Sequence, residues 1–189
     1  MTSATPTAPR RGRRRSEDRT EAILEHTYEL VNEHGYDQLR MQDVAERAGA
    51  GLATIYRRFP TKQDLVAAAI RHRPPTKIEP TGDPRADLHA LAHELAIELC
   101  NADKVAGFII AVREHEVLRD AVRDHIVTGT RVAFREGLSE LLGSAEVGEF
   151  LVDAAAGALM FRTVFLDETP DPDEFADEVI ALVDSLRAS

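Results

Sequence analysis

Two short apolar sets at helical spacing, parted by three residues, constrain this chain more than anything else in it. Met41, Val44, Ala45 and Ala48 form the first set, which stops at Gly49. Leu52, Ile55, Tyr56 and Phe59 form the second, which stops at Pro60 because proline has no N–H to carry a helix further. Only Gly49-Ala50-Gly51 joins them. Neither helix is long enough to be stable alone, so a longer element must brace both. The preceding stretch supplies one. Ser16 caps it, Glu17 and Asp18 suit the positive end of the helix dipole, and Ile23, Thr27, Leu30 and Val31 recur at helical spacing until Gly35, which predicts a helix over about 17–34. Downstream, Thr61-Lys62-Gln63-Asp64 has the form of a capping box and predicts a helix reaching His72 before Pro74-Pro75. A long helix bracing two short ones across a glycine-bearing turn is the anatomy of a helix-turn-helix unit.

The rest of the chain is also helical in pattern. Asp83-Pro84 opens a long helix with Leu88, Leu91, Leu95 and Leu99 on one side, and further helices are expected at about 104–115, 116–142, 146–167 and 172–187. No stretch alternates as a strand would, and no repeat or hairpin signal occurs, so the chain reads as all-α. Four segments follow. Residues 1–16 are a basic arm without apolar periodicity, expected to be disordered; 17–73 are the helix-turn-helix domain; 74–82 are a linker; 83–189 are a second helical domain.

Charge divides the molecule at the same place. Residues 1–72 carry 12 Lys/Arg against 10 Asp/Glu, whereas residues 73–189 carry 11 against 23. A polyanion is admitted at the first part and repelled by the second, because phosphate backbones are held mainly by neutralising cations. Within residues 40–73 there are 7 Lys/Arg and 3 Asp/Glu. On the second short helix, Ile55 and Phe59 face inward, Ala53 and Thr54 keep it thin enough for a DNA major groove, and Thr54, Arg57 and Arg58 fall outward. Tyr56 packs its ring and offers its hydroxyl to a phosphate. Lys62, in the first turn of the next helix, is placed to hold another.

The run Gly49-Ala50-Gly51-Leu52-Ala53-Thr54-Ile55-Tyr56-Arg57-Arg58-Phe59-Pro60-Thr61-Lys62 resembles the DNA-binding signature of TetR-type (tetracycline-repressor-like) transcriptional regulators. The likeness covers about residues 17–70, including Gly35-Tyr36 and Asp43-Val44-Ala45. It implies an N-terminal helix-turn-helix domain with a C-terminal helical domain for effector binding and dimerisation. It also implies a homodimer that reads a palindromic duplex DNA operator, most often as a repressor released by a small-molecule effector. Arg40, Gln42 and Leu52 join Ala53, Thr54, Tyr56, Arg57, Arg58 and Lys62 in the DNA-facing set. Gly51 stands where the family often has Ser, and Leu39-Arg40-Met41 where it is often rich in Thr, so Arg40 takes over a backbone contact from a hydroxyl.

The last two helices are similar to those that form the family's four-helix dimer bundle. One interface stripe holds Phe150, Ala154, Ala158, Phe161 and Phe165; the other holds Phe175, Val179, Leu182 and Leu186. Candidate effector-pocket residues are Leu91, Leu95, Phe108, Val112, Phe134 and Leu138, together with Met160, Phe161, Val164 and Phe165, because sites between bundle helices are mainly apolar. A small apolar effector is expected, with Arg113, Arg131 and Arg162 assigned to salt bridges. The alternatives are a metal- or redox-sensing regulator using the stripe His89, His93 and Cys100, or a helical interaction protein without effector.

Nucleophile elbows, Walker loops, dinucleotide glycine patterns and His-Glu-x-x-His are all absent, so no enzymatic activity, cofactor or resident metal is expected. A single cysteine excludes an internal disulfide. The longest runs without a polar side chain, Val105 to Val112 and Ala154 to Phe161, fall far short of the roughly 20 residues needed to span a bilayer. A cytoplasmic protein with no membrane partner is expected.

Overall fold

In the computed structural model, residues 11–72, 81–99, 102–143 and 145–188 are described. They form ten α-helices and no strand. The first four are α1 (Arg11–Gln38), α2 (Met41–Arg47), α3 (Leu52–Arg58) and α4 (Lys62–His72). After residues 73–80 come α5 (Pro84–Leu99), α6 (Ala102–Glu114) and α7 (Glu116–Ala121). A π-helical segment (Val122–Val127) then leads into α8 (Thr128–Leu142), followed by α9 (Ala145–Phe165) and α10 (Pro172–Arg187).

Helix ends follow their local chemistry. Gly35 interrupts α1 with φ 81°, ψ 164°, a backbone that side-chain-bearing residues rarely adopt, and the expected break falls there. At the start of α4, Thr61 Oγ1 donates to Asp64 Oδ2 at 2.7 Å and accepts from the Asp64 N–H at 3.1 Å, which closes the expected capping box. Asp171 caps α10 by accepting from the N–H groups of Asp173 and Glu174 at 3.0 and 3.1 Å. The start of α1 differs from expectation. It begins at Arg11, so residues 11–16 of the anticipated arm are helical: once the apolar nucleus has formed, adding arginine-rich turns to its end is inexpensive. Residues 1–10 lie outside the described residues, as does the greater part of the anticipated linker.

The packing forms two cores, and their border does not follow the expected division at residue 83. The first core gathers Ile23, Leu30, Val44, Ile55, Leu65, Val66 and Ile70 from α1 to α4, and adds Ala111 of α6 with Leu118 and Ala121 of α7. The second gathers Leu88, Leu91 and Ala96 of α5, Phe134 and Leu138 of α8, Val152 and Leu159 of α9, and Phe175, Ile180 and Val183 of α10. Helices α6 and α7 therefore pack mainly with the helix-turn-helix, α6 also touching α9. Polar contacts reinforce this. Lys104 Nζ donates to the Asn32 carbonyl at 2.6 Å, and the Gln63 amide lies 2.9 Å from the His115 ring nitrogen.

That border separates the expected effector set. Leu91, Phe134 and Leu138 are buried in the second core, with Leu95 against it, whereas Phe108 and Val112 pack on the first. Met160 and Val164 are half-buried, and Phe161 and Phe165 are 55% and 75% exposed, so the last two do not line an interior pocket. Periodicity marks an inward face without saying which neighbour it meets.

Candidate nucleic-acid interface

The turn between α2 and α3 depends on one backbone conformation. Gly49 lies at φ 57°, in the left-handed region; its N–H donates to the Glu46 carbonyl at 3.2 Å, and the Ala50 N–H reaches back to the Ala45 carbonyl at 2.9 Å. These bonds satisfy the last carbonyls of α2 and turn the chain sharply enough for α3 to start at Leu52. Gly51 caps α3 without a side chain, while its carbonyl accepts from Thr54 and Ile55. Ile55 is fully buried, and Leu52 and Phe59 pack against the same core, so α3 is seated by one face.

Its other face is open. Ala53 and Arg57 are exposed, and Tyr56 keeps 46% of its surface free. Thr54 and Leu52 are half-buried at the edge. Arg58, expected to point fully outward, is half-buried beside Phe59, because it falls toward the inward side of a two-turn helix. Arg40 and Gln42 are exposed at the start of α2, Arg40 having extended backbone at φ −117°, ψ 141°.

Two cations tie the helices of the unit together, Arg47 at the surface and Lys62 at a part-buried site. Arg47 Nη1 donates to both Glu33 oxygens at 2.8 Å, tying α2 to α1; this bond holds the Glu33 carboxyl below its usual range and raises the guanidinium. Lys62, expected on a phosphate, lies elsewhere. Its ammonium donates to the carbonyls of Tyr36 and Asp37 at 2.8 and 3.3 Å and sits 4.3 Å from the centre of the Tyr36 ring. Burial lowers the Lys62 pKa, against the raising pull of Asp37. Tyr36 is itself buried, packs on Phe108 of α6 at 6.5 Å between ring centres, and has its hydroxyl pushed up to about 12, first by burial and then by Asp37 and Glu114. Neither brace had a signal in the sequence, because Glu33 and Arg47, like Tyr36 and Lys62, come from different helices. Arg40 and Arg57, by contrast, have no hydrogen-bond or ion-pair partner among the described residues.

Helix α9 exposes Phe150, Ala154, Ala158, Phe161 and Phe165, and Phe161 stacks on Phe165 at 5.6 Å. The expected stripe of α10 is only partly like it. Leu182 and Leu186 are 48% and 42% exposed, Val179 is half-buried, and Phe175 is buried in the second core where α5 covers it.

The histidine stripe has its own occupation. His89 and His93 lie 3.3 and 3.5 Å from Asp177 and Asp173 of α10, next to the ion pair of Arg85 with Asp184 at 2.9 Å. Cys100 lies outside the described residues. Among those described, no group of three or more His, Cys, Asp or Glu is arranged to hold a metal, and no helix is long and apolar enough to cross a membrane.

Residues 23–69 match the family described as bacterial regulatory proteins, tetR family. An uncharacterized HTH-type transcriptional regulator of Mycobacterium tuberculosis (strain ATCC 25618 / H37Rv) is 31% identical over 172 residues, 87% of this chain and 83% of the relative. The DNA-binding transcriptional repressor TetR of Mycobacteroides abscessus is 31% identical over 158 residues, 78% of this chain and 83% of that one. Among solved structures, the TetR family transcription regulator SCO0332 superposes with a TM-score of 0.62 at 25% identity, over 88% of this chain and 97% of its own. A TetR transcription regulator from Haloarcula marismortui shares the fold with a TM-score of 0.64 at 21% identity, over 89% and 98%.

Proposed function

Because this chain belongs to the tetR family of bacterial regulatory proteins, and is thus a DNA-binding transcriptional regulator rather than an enzyme, we propose that it is a homodimeric repressor of a palindromic operator, released by a small apolar effector. The observation that carries this reading is the division among its cations. Arg47 and Lys62 are occupied within the protein, whereas Arg40 and Arg57 have no partner among the described residues and stand beside Gln42, Ala53 and Tyr56 on the open side of α2 and α3. Arg57 and Gln42 are the base-reading candidates; Arg40 and the Tyr56 hydroxyl are suited to phosphates.

The exposed stripe of α9, continued by Leu182 and Leu186, supports the homodimer, since a contiguous apolar face on a charged protein is the signature of an interface. Two copies joined there carry two α3 helices, and a two-fold pair of helices reads a palindrome. For the effector, Arg131 already meets Asp153 at 3.1 Å and Arg162 meets Glu178 at 2.8 Å, while Arg113, also expected in a salt bridge, is exposed on α6 without an ion pair among the described residues; the two occupied arginines support a ligand without strong charge. Release follows if the ligand prefers the conformation with wrongly spaced α3 helices.

The test is binding of the full chain to fragments of its own genome, followed by sequencing of those retained. A palindromic site bound by a dimer, with affinity falling steeply as salt rises, is the expected result. Retention of fragments without a shared sequence, or affinity independent of salt, defeats the reading. A reporter under the recovered site then separates repression from activation.

A further inference from the structure

Only two polar side chains are fully buried among the described residues, Thr27 and Thr163, and they differ in one respect. Thr27 Oγ1 donates to the Ile23 carbonyl one turn back, at 2.6 Å, the usual way for a threonine inside a helix to satisfy its hydroxyl. Thr163, also at 0% exposure, has no hydrogen-bond partner for Oγ1 among the described residues. A buried hydroxyl left unpaired keeps the full penalty of leaving water, so its presence calls for a physical reason.

Its position supplies one. Thr163 follows Val152 and Leu159 on the stripe of α9 turned to the second core. Helices α8 and α9 leave the left-handed turn at Gly143 in opposite directions and pack along one another. Since both rise equally per residue, Thr163 falls toward the end of α8 that follows the π-helical segment Val122–Val127. The segment packs with α7 and α4 on the side of the first core, where Val122 lies, and runs on into α8, whose Phe134 belongs to the second. The backbone there departs from α geometry, and Thr128 Oγ1 donates to the Arg123 carbonyl at 2.8 Å. Such π-helical insertions recur at functional sites. Helix α6, whose Phe108 and Val112 pack on the first core, also rests against α9.

We propose that Thr163 is the polar anchor of the effector site, at the junction of the two cores, and that the effector is an uncharged, mainly apolar molecule with a single hydrogen-bonding oxygen. The proposal rests on the effector reading above and names its ligand class. The hydroxyl donates to a ligand carbonyl or pairs with a ligand hydroxyl, and the surrounding Leu, Val, Phe and Met surface takes the remainder. A carboxylate or ammonium there would be stripped of water without a counter-ion, because no charged side chain is buried among the described residues. A ligand at this junction touches the body that carries the helix-turn-helix and the body that carries the dimer stripe, as a coupling between the two requires.

Three probes with one carbon skeleton test this: propylbenzene, hydrocinnamyl alcohol and hydrocinnamate, each titrated against the full dimeric chain with and without operator DNA. The alcohol should bind wild type roughly tenfold tighter than the hydrocarbon, the gain of one hydrogen bond, and the acid should bind weakest. Thr163→Val should erase the difference between alcohol and hydrocarbon, and Thr163→Ser should keep it. Without ligand, Thr163→Val should raise the melting midpoint by about 2 to 4 °C, because it removes an unpaired hydroxyl, whereas Thr27→Val should lower it. Equal binding of alcohol and hydrocarbon, a preference that survives Thr163→Val, tightest binding of the acid, or no binding of any probe overturns the proposal. Thr163-dependent binding that leaves the DNA complex intact keeps the site and removes its role as effector site.

Discussion

The two cores present opposite surfaces. Around the first, cations are tied to backbone and carboxylates of neighbouring helices: Arg47 to Glu33 at the surface, Lys62 to the carbonyls of Tyr36 and Asp37, Lys104 to that of Asn32. What remains outward on α2 and α3 is polar and charged, with Asp43 and Glu46 beside the arginines and one aromatic ring. Around the second, the charges pair across helix boundaries, Arg85 with Asp184, Arg131 with Asp153 and Arg162 with Glu178, while α9 turns three phenylalanines to the outside. A surface that meets a hydrated polyanion must keep cations free and the helices beneath them rigid. A surface that meets its own copy must keep apolar area free and its charges quiet. In this net-acidic chain the two regions differ in what they leave exposed: Arg40 and Arg57, unpaired among the described residues, at α2 and α3, and a phenylalanine stripe on α9.

The largest effect should come from breaking the apolar side. Ala158→Glu, or Phe161→Asp with Phe165→Asp, introduces charge where two copies are proposed to meet, and should give a monomer in sedimentation at micromolar concentration. Operator affinity should drop by a hundredfold or more, about the advantage of linking two recognition units. A dimer that survives both changes removes the stripe from the interface. Next comes the cationic side. Arg57→Ala should weaken operator binding by about 1 to 3 kcal/mol and relax one base position if it pairs a guanine. Arg47→Ala should leave base preference and salt slope unchanged, because that guanidinium faces Glu33. Equal losses for the two variants would collapse the distinction between occupied and available cations.

How far this contrast was legible in the sequence depends on the kind of signal. Thr61 with Asp64, Asp83 before Pro84, and Asp171 before Pro172 marked helix starts correctly, because a cap is local chemistry written within four residues. The exposed stripe of α9 was legible too, its phenylalanines and alanines recurring at helical spacing. Phe108 and Val112 pack on a different core from Leu91 and Phe134, which periodicity did not tell, because the partner of an inward face is a tertiary fact. The π-helical segment at 122–127 left no trace, since widening a helix by one residue changes no residue type. Lys62 was read as a phosphate ligand because its place in the first turn of α4 was visible, whereas the Tyr36 carbonyl it meets was not.

Lys62 accordingly gives the third test, of intermediate size. Lys62→Met keeps the stem and removes the ammonium from the Tyr36 and Asp37 carbonyls, and should lower stability by about 1 to 2 kcal/mol, the worth of a charged hydrogen bond at a part-buried site. Thermal or urea unfolding measures it. Unchanged stability with uniformly weaker binding of all DNA sequences would mean that the ammonium leaves those carbonyls for a phosphate.

The smallest effect separates the two regions by acid. Glu33 has its pKa lowered, first by the bond from Arg47, and it remains exposed, so its contribution is screened and modest. A carboxyl whose folded value lies below its unfolded one contributes stability that is present above the ordinary carboxylate range and lost as pH falls through the folded value. Glu33→Gln removes that contribution at neutral pH. The stability gap between wild type and variant, read by urea midpoints, should therefore close as pH falls from about 5 toward 2. The first core should respond, through fluorescence of a probe on α2, while a probe on α9 stays level, because no ion pair of the second core involves Glu33. A gap that stays constant across that range would show that the Glu33 and Arg47 bond does not hold α2 to α1, and that apolar packing of Val44 and Ala45 suffices for it.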